Sequence, residues 1–282
     1  MAGTLYIVAT PIGNLEDMTP RAAATFGSVD FIAAEDTRVT LKLLNHLGLK
    51  KPLVSYYEHN LKERGAYILG RIQAGENCAL CSDAGMPAIS DPGEVIVTDA
   101  LAAGIRVVPV PAASACVTAL AVSGQATGRF VFEGFLPTNL RQRKERLEQL
   151  AGEERTVIFY EAPHKLRMTL GHLRDAFGAE RSITLARELT KLHEEVVKTT
   201  LGEAVEYYES NNPRGEYVLV MAGASPEENR SPAPTLDEAA ERARALMESG
   251  MSASAAAKQA AQNTPFGKSQ IYRLLTRQEE EE

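Results

Sequence analysis

Residues 81–93 place carboxylates among turn-forming residues directly after an apolar run. Gly85 and Gly93 permit backbone angles that other residues avoid, and two prolines exclude a helix, so the segment is predicted to be a shaped loop. In an open α/β sheet, ligands bind at the carboxyl ends of strands, where Asp83 would lie. The loop has two aspartates, no lysine and no Gly-x-Gly-x-x-Gly pattern. It therefore favours a hydroxyl, ammonium or other cationic ligand over a nucleoside triphosphate, unless its aspartates merely close surface turns.

The elements that would position this loop alternate along the chain. In the first half, a series of strands and helices predicts a mostly parallel sheet with helices on its faces, and the second half repeats the alternation. The predicted strands are residues 5–9, 29–34, 53–57, 78–82 and 106–110, then 130–135, 156–160, 182–186 and 217–222. A cleft between two such α/β units is a natural ligand site.

The predicted fold class is therefore α/β, with two α/β domains, a cleft between them and a small C-terminal helical module. The expected boundaries are 1–115 and 116–224 for the domains, 225–234 for a proline-rich linker and 235–282 for the module. In the module, Thr235 and Ser252 are predicted to cap helices, and a further helix is predicted over 268–277. This basic unit is either a helix-turn-helix reader or a packing appendage.

Composition bounds the class of protein. With 282 residues, of which 44% are hydrophobic, the chain can bury more than one core. No apolar stretch is long enough to cross a bilayer, and residues 1–4 lead straight into a strand, so we expect a soluble cytoplasmic protein. Cys78 and Cys81 lie three apart in one predicted strand and should face opposite sides, and Cys116 is assigned to the core, so neither a disulfide nor a metal site is expected.

The net charge of −7 argues against a nucleic-acid partner, but the basic residues are clustered. There is no acidic residue between Ser249 and Gln278, whereas the terminus carries the acidic run 279–282. The candidate RNA-binding residues are Arg141, Arg143 and Lys144 in one cluster and Lys258, Lys268 and Arg273 in the other. Each cluster is alternatively a solvated helix face.

The segments at the strand ends, taken in order, resemble the tetrapyrrole-methylase superfamily, and within it the bacterial methyltransferases of small-subunit ribosomal RNA. The resemblance covers about residues 5–223 and rests on segments 6–15, 34–38, 82–87, 90–93, 109–111, 132–137, 158–161 and 186–191. An ordered set of this size is far more specific than a lone glycine motif. Two departures from the family pattern are Ala112 after Pro111 and Met86 in place of a frequent threonine.

The resemblance implies that S-adenosylmethionine (AdoMet) binds between the two domains, and that the protein is a homodimer without a metal. It also implies 2′-O-methylation of a cytidine ribose in the decoding region of 16S rRNA, in free rRNA or in the small ribosomal subunit. Carried over by motif, the cofactor-binding residues are Pro11, Asp83, Ala84, Gly85, Pro87, Ile89, Ser114, Ala115, Phe159, Tyr160, Ala186 and Glu188.

Methyl transfer to a ribose hydroxyl requires positioning, and it is helped by a general base or by a cation that stabilises the alkoxide. The candidate catalytic residues near strand ends are Glu35, Asp36, Arg38, Glu188 and Lys191. Each has a structural alternative: Asp36 or Thr37 caps the next helix, Arg38 pairs with Glu35, and Glu188 pairs with Lys191.

Two other functions remain open at this point. One is a small-molecule tetrapyrrole methyltransferase of the same fold, and the other is a ligand-sensing helix-turn-helix protein that binds nucleic acid without catalysis. The helical tail and the basic clusters favour RNA as the substrate.

Overall fold

The computed structural model describes residues 2–225, 235–262, 264 and 266–277. The chain divides into two compact units, Met1–Gly223 and Ala224–Glu282. The first unit contains two five-stranded sheets, and the second unit is helical where it is described. Most of the predicted linker 225–234 and all of residues 278–282 lie outside the described residues.

The first sheet is entirely parallel, as the alternation of strands and helices predicts. Its strand order is β3-β2-β4-β1-β5. The strands are β1 Thr4–Val8, β2 Phe31–Ala34, β3 Leu53–Ser55, β4 Cys78–Cys81 and β5 Arg106–Val110. The helices are α1 Pro20–Ser28, α2 Thr37–His46, α3 Leu61–Gln73, α4 Gly93–Ala102 and α5 Ala115–Val122.

Both faces of this sheet are buried. Cys78 belongs to a core with Leu5, Phe31 and Ile96, whereas Cys81 belongs to a second core with Val8 and other residues on the opposite face. The prediction that the two cysteines face opposite sides is confirmed. Burial raises the pKa of the Cys81 thiol to about 12, so the thiol stays protonated at neutral pH.

The second sheet is mixed, which corrects the expectation that the second half repeats the first. Its order is β6-β7-β10-β8-β9, and only β6 and β7 are parallel. The strands are β6 Phe130–Phe135, β7 Thr156–Glu161, β8 Ser182–Arg187, β9 Glu195–Thr200 and β10 Tyr217–Met221. The strand β9 is absent from the predicted set. A short loop joins β8 to β9, and because a parallel crossover needs a dozen or more residues, this pair must be antiparallel.

Three helices cover one face of the second sheet, while α5 packs on the other face. The covering helices are α6 Leu140–Leu150, α7 Pro163–Phe177 and α8 Leu201–Ser210. Successive residues of a strand alternate between these faces, so Phe159 lies in the core beneath α7 and Tyr160 lies on the face of α5.

The helical unit contains α9 Leu236–Glu248, α10 Ala253–Ala260 and α11 Lys268–Arg277. Thr235 and Glu238 form a capping box at α9, and the Ser252 hydroxyl accepts from the Ala255 amide at α10, so both predicted caps are confirmed. The core of the unit consists mostly of alanines with Ile271 and Leu275. None of the helices in the described part of the chain is long and apolar enough to span a membrane.

Candidate functional site

A cleft of about 390 Å³ lies where the ends of the two sheets meet in the first unit. The lining from the first half includes Ile12, Glu35, Asp83, Ala84, Gly85, Met86, Ile89, Asp91, Ser114 and Ala115. The lining from the second half includes Phe135, Tyr160, Glu161, Ala186, Glu188, Lys191, Glu216, Tyr217 and Val218. The structure thus brings the predicted loop after β4 together with the predicted residues of β7 and β8.

The loop after β4 is held in one shape by its own contacts. Thr10 and Gly85 exchange two backbone hydrogen bonds of 2.9 and 3.1 Å, which tie this loop to the loop after β1. The Asp91 carboxylate accepts from the amides of Ala88 at 2.9 Å and Gly93 at 2.7 Å. Ala88 has a left-handed φ of 69°, a conformation that is unfavourable for alanine. The shape of the loop that follows Asp83 is therefore set by these contacts.

Two carboxylates share the floor of the cleft. Asp83 Oδ1 accepts from the amide of Asp36 at 3.1 Å, and the amide of Asp83 donates to Glu35 Oε2 at 3.4 Å. Burial raises the pKa of Glu35; the hydrogen bond from Asp83 opposes that effect, while the negative charges of Asp83, Asp91 and Asp36 add to it. Burial also raises the pKa of Asp83. This part of the cleft therefore favours a cation or a hydrogen-bond donor as its occupant.

Asp36 and Arg38 form an ion pair beside this floor. The Asp36 carboxylate accepts from the Arg38 amide at 2.8 Å as the cap of α2, and from Arg38 Nη2 at 2.6 Å. The Arg38 hydrogen bonds lower the pKa of Asp36 to about 2. The capping alternative for Asp36 agrees with these contacts, whereas the expected pairing of Arg38 with Glu35 is wrong. The Arg38 side chain is 87% exposed, so it faces solvent.

Tyr160 forms the aromatic wall of the second half. Its hydroxyl accepts from the Cys116 amide at 3.0 Å, and its ring contacts those of Phe132 and Phe135 edge-on, with centroids 4.9 and 5.7 Å away. Burial raises the pKa of Tyr160 to about 12, so the phenol is neutral at physiological pH. Phe159 does not face the cleft, because its side chain is fully buried on the other side of β7. The structure thus places the Phe159 side chain away from the cleft, while Pro11 and Pro87 lie next to lining residues.

A lysine held between two carboxylates closes the cleft on this side. Lys191 Nζ lies 2.8 Å from Glu188 Oε1 and 2.8 Å from Glu216 Oε2. Burial lowers the pKa of Lys191, but the hydrogen bonds to the two glutamates outweigh burial and raise it. The same contact with Lys191 lowers the pKa of Glu188. Lys191 is therefore a fixed cation, and Glu188 a fixed anion, at neutral pH.

The loop that carries this lysine touches the first half of the chain. A Cβ atom at Gly13 would lie 2.5 Å from Lys191 Cγ and 3.0 Å from the Leu189 carbonyl, so only glycine fits there. Glu188 and Thr190 have left-handed φ angles of 50° and 65°. Sequence reasoning missed Glu216, and its only signal is its place between Gly215 and the start of β10.

The basic clusters differ in exposure. Arg141 and Lys144 on α6 have 88% and 79% of their side-chain surface exposed, although each pairs with a glutamate. Arg143 is only 2% exposed, donates to the Pro137 carbonyl at 2.8 Å and lies beside His172, so its predicted contact with RNA is wrong. Lys258, Lys268 and Arg273 of the helical unit are exposed.

A parallel sheet and a mixed sheet that meet at one cleft define the class: a two-domain α/β protein of the fold found in methyltransferases. Solved structures share this fold. They include the methyltransferase CobJ, with a TM-score of 0.60 and 18% identity over 79% of this chain and 95% of that one. They also include uroporphyrin-III C-methyl transferase from Thermus thermophilus complexed with S-adenosyl homocysteine, with a TM-score of 0.57 and 17% identity over 78% of this chain and 97% of that one.

Sequence comparison is more specific. The family profile "Tetrapyrrole (Corrin/Porphyrin) Methylases" matches residues 4–205. A protein of Synechocystis sp. named ribosomal RNA small subunit methyltransferase I is 51% identical over 96% of this chain and 97% of its own length. A protein of the same name from Pseudomonas aeruginosa is 49% identical over 79% of each chain. The chain belongs to the tetrapyrrole methylase family.

Proposed function

We propose that this protein is an AdoMet-dependent methyltransferase that modifies the ribose 2′-hydroxyl of a cytidine in the decoding region of 16S rRNA. The proposal includes a cytoplasmic location and a homodimer. The observation that carries it is the cleft in which the Asp83 loop faces Tyr160 and Lys191. The choice of RNA is supported by the relatives named ribosomal RNA small subunit methyltransferase I, of which the Synechocystis sp. protein matches 96% of this chain.

The residues of the cleft fit AdoMet by size and by chemistry. A volume of about 390 Å³ lies within the range of small-molecule pockets. Small residues such as Ala84, Gly85 and Ala186 leave room, and Ile12 and Ile89 offer apolar contacts for an adenine ring. Carboxylates such as Asp83 accept from ribose hydroxyls or attract a cationic centre, and the face of Tyr160 attracts a cation. When bound, AdoMet supplies a methyl group that is already activated by its sulfonium.

The charged side chains of the cleft suit different steps of methyl transfer to the ribose hydroxyl. Glu35 lines the cleft with a raised pKa, so it is the best proton acceptor among the candidate carboxylates. Lys191 stays protonated and is suited to stabilise negative charge that develops on the ribose oxygen. Glu188 and Glu216 hold Lys191 in place from two directions. The two halves of the cleft orient the hydroxyl and exclude water.

A methyl-transfer assay tests this proposal. It uses purified protein, radiolabelled AdoMet and small ribosomal subunits from a strain that lacks the gene. We expect label in 16S rRNA as a 2′-O-methylcytidine, identified after nuclease digestion. Label on a uroporphyrin-type macrocycle alone would establish the small-molecule alternative. DNA binding without any methyl transfer would establish the ligand-sensing alternative.

Asp83→Ala tests the cleft directly. We expect AdoMet affinity to fall by about 1–3 kcal/mol in titration calorimetry, because a partly buried polar contact is lost. Asp175→Ala is the matched control, since Asp175 is an exposed aspartate on α7 whose side chain pairs only with the neighbouring Arg174 among the described residues. Equal AdoMet affinity for both variants and the wild type would contradict the assigned role of Asp83.

A further inference from the structure

A second cavity, of about 330 Å³, lies on the other face of the second sheet. Arg187 and Tyr217 both line it. Because strand side chains alternate, Arg187 points to the helix-covered side while its neighbour Ala186 lines the cleft. Tyr217 lines the cavity and the cleft alike, so the two meet at the ends of β8 and β10.

The wall of this cavity is rigid. Arg167 Nε donates to the Tyr208 carbonyl at 2.6 Å, and its Nη2 donates to Asn212 Oδ1 at 2.9 Å, which fixes the turn after α8. The hydroxyls of Tyr208 and Tyr217 lie 3.3 Å apart, and the Arg214 amide donates to the Tyr217 hydroxyl at 3.3 Å. These contacts hold the backbone and the inner rings without using the groups at the mouth.

The groups at the mouth are available to a ligand. Tyr207 is 58% exposed, and its ring stands edge-on to that of Tyr208. Within the described part of the chain, the Arg214 guanidinium has no hydrogen bond or ion pair. Arg187 Nη2 lies 3.0 Å from Glu195 Oε2, but its buried Nε has no partner there. The cavity is therefore a polar space bordered by the exposed ring of Tyr207, the free cation of Arg214 and the partly unsatisfied cation of Arg187.

We propose that this cavity is a subsite for a nucleotide of single-stranded RNA. The base stacks on Tyr207, and the phosphate contacts Arg214 with Arg187 behind it. Unpaired nucleotides are recognised in this way, by aromatic stacking together with basic contacts to the backbone. The inference rests on the proposed function, because the RNA strand in the subsite is taken to be part of the same RNA whose target ribose enters the cleft. The shared border at Tyr217 lets one strand turn around the end of the sheet and reach both places.

The test is the affinity of the full-length protein for a fluorescein-labelled 12-nucleotide single-stranded RNA, measured by anisotropy at several salt concentrations. Tyr207→Ala should raise Kd about tenfold at every salt concentration, because base stacking is lost. Arg214→Ala should raise Kd and reduce the slope of log Kd against log salt by about one, because one phosphate contact is lost. Glu195→Gln should lower Kd, because it removes the negative charge beside Arg187.

Tyr67→Ala and Arg64→Ala are the matched controls, since both residues are exposed on α3 in the first half. They should bind the RNA with the affinity and salt slope of the wild type. Kd values that do not differ between Tyr207→Ala, Arg214→Ala and these controls would overturn the subsite.

Binding of cytidine monophosphate shows whether the cavity takes a free nucleotide or a nucleotide of an RNA strand. If its binding is lost in Tyr207→Ala while the 12-nucleotide RNA binds all variants equally, the cavity serves a free nucleotide and the proposal fails. The outcome is also distinct from that of the proposed function. Variant-dependent RNA affinity without methyl transfer to rRNA would refute the function alone, whereas methyl transfer with equal RNA affinities would refute the subsite alone.

Discussion

The pKa values of Glu35 and Glu188, two carboxylates that line the cleft, are shifted in opposite directions. Burial raises the pKa of Glu35, whereas the contact with Lys191 lowers that of Glu188. A carboxylate with a raised pKa is the stronger base, so the environment rather than the residue type assigns the role. In the proposed reaction, the ribose hydroxyl lies between Glu35, the proton acceptor on one wall, and Lys191, the fixed cation on the other.

Glu35→Gln tests this assignment. We expect kcat for methyl transfer to fall about 100-fold, which is within the usual contribution of a general base, with AdoMet affinity little changed. The wild-type rate should rise with pH as Glu35 ionises, with a midpoint above 4.5, and the variant should lack this ionisation. The measurement is a pH–rate profile under single-turnover conditions. Full activity in the variant would assign the base elsewhere.

The same substitution should stabilise the fold. The pKa of Glu35 is higher in the folded protein than its ordinary value of 4.5, so the folded state holds this proton more tightly than the unfolded state. Ionisation of Glu35 lowers the free energy of unfolding. This loss is absent below pH 4.5, grows as the pH rises through the pKa of Glu35 in the folded protein, and is constant above that pKa. Glu35→Gln should therefore raise Tm at neutral pH, and the gain should vanish in acid. Glu206→Gln, on the exposed side of α8, is the control.

Individual residues were predictable where strand ends bring them together. Asp83, Glu35 and Glu188 share the cleft because each follows or ends a strand, which sequence patterns reveal. The buried side of Arg143 could have been inferred from its spacing, because Arg143, Leu147 and Leu150 lie on one face of α6, whereas its partner, the Pro137 carbonyl, precedes the helix and gave no such signal. The left-handed angles of Ala88 and Ser90 were also hidden, because neither residue type favours them.

At the scale of elements, Asp36 joins the start of α2 to the floor of the cleft. Its side chain caps the helix, and its amide donates to Asp83. Because Arg38 lowers the pKa of Asp36 from 3.8 to about 2, the ionised carboxylate stabilises the folded state above pH 3.8. That contribution is lost as the pH falls toward 2.

Asp36→Asn should preserve the cap, since asparagine caps helices as well as aspartate does. It removes the charge that pairs with Arg38, so the unfolding midpoint at neutral pH should be lower than in the wild type. Between pH 4 and pH 2 the two proteins should converge. Urea titrations followed by circular dichroism would show this convergence, and a constant difference across the range would contradict it.

The direction of the strands could be predicted from the sequence in the first sheet but not in the second. In the first sheet every connection contains a helix, so parallel pairing follows from the alternation. In the second sheet the sequence does not reveal β9, because its first four residues are exposed and the strand lacks the apolar pattern of a buried strand. Without β9, the reversal of direction between β8 and β10 has no visible cause in the sequence.

The whole molecule combines an α/β unit with a helical unit whose residues 249–278 include basic but no acidic side chains. We propose that residues 1–115 and 116–224 are the two α/β domains, supported by the packing of α5 on the second sheet. We further propose that 225–234 links them to a module over 235–282. The exposed Lys258, Lys268 and Arg273 give that module a surface for phosphate.

Replacing Lys258, Lys268 and Arg273 with alanine together should weaken binding of 16S rRNA. The slope of log Kd against log salt should fall by up to about three, because three phosphate contacts are lost. AdoMet affinity should stay at the wild-type value, because these residues are outside the lining of the cleft. Filter binding with in vitro transcribed rRNA measures the slope, and an unchanged slope would make this surface a solvated helix face.

Four non-glycine residues in the described part of the chain have left-handed angles, Ala88 and Ser90 in one loop and Glu188 and Thr190 in the other, and they bear on how a ligand is received. Each such angle has a conformational cost of about 1 kcal/mol, which the rest of the fold must offset. The crevice is thus preorganised: its walls already hold the shape that a ligand needs, and little further ordering entropy is lost on association. Glycine in place of Ala88 or Ser90 would relax the chain and make the protein more stable, but it would make the crevice a looser receptor for its ligand.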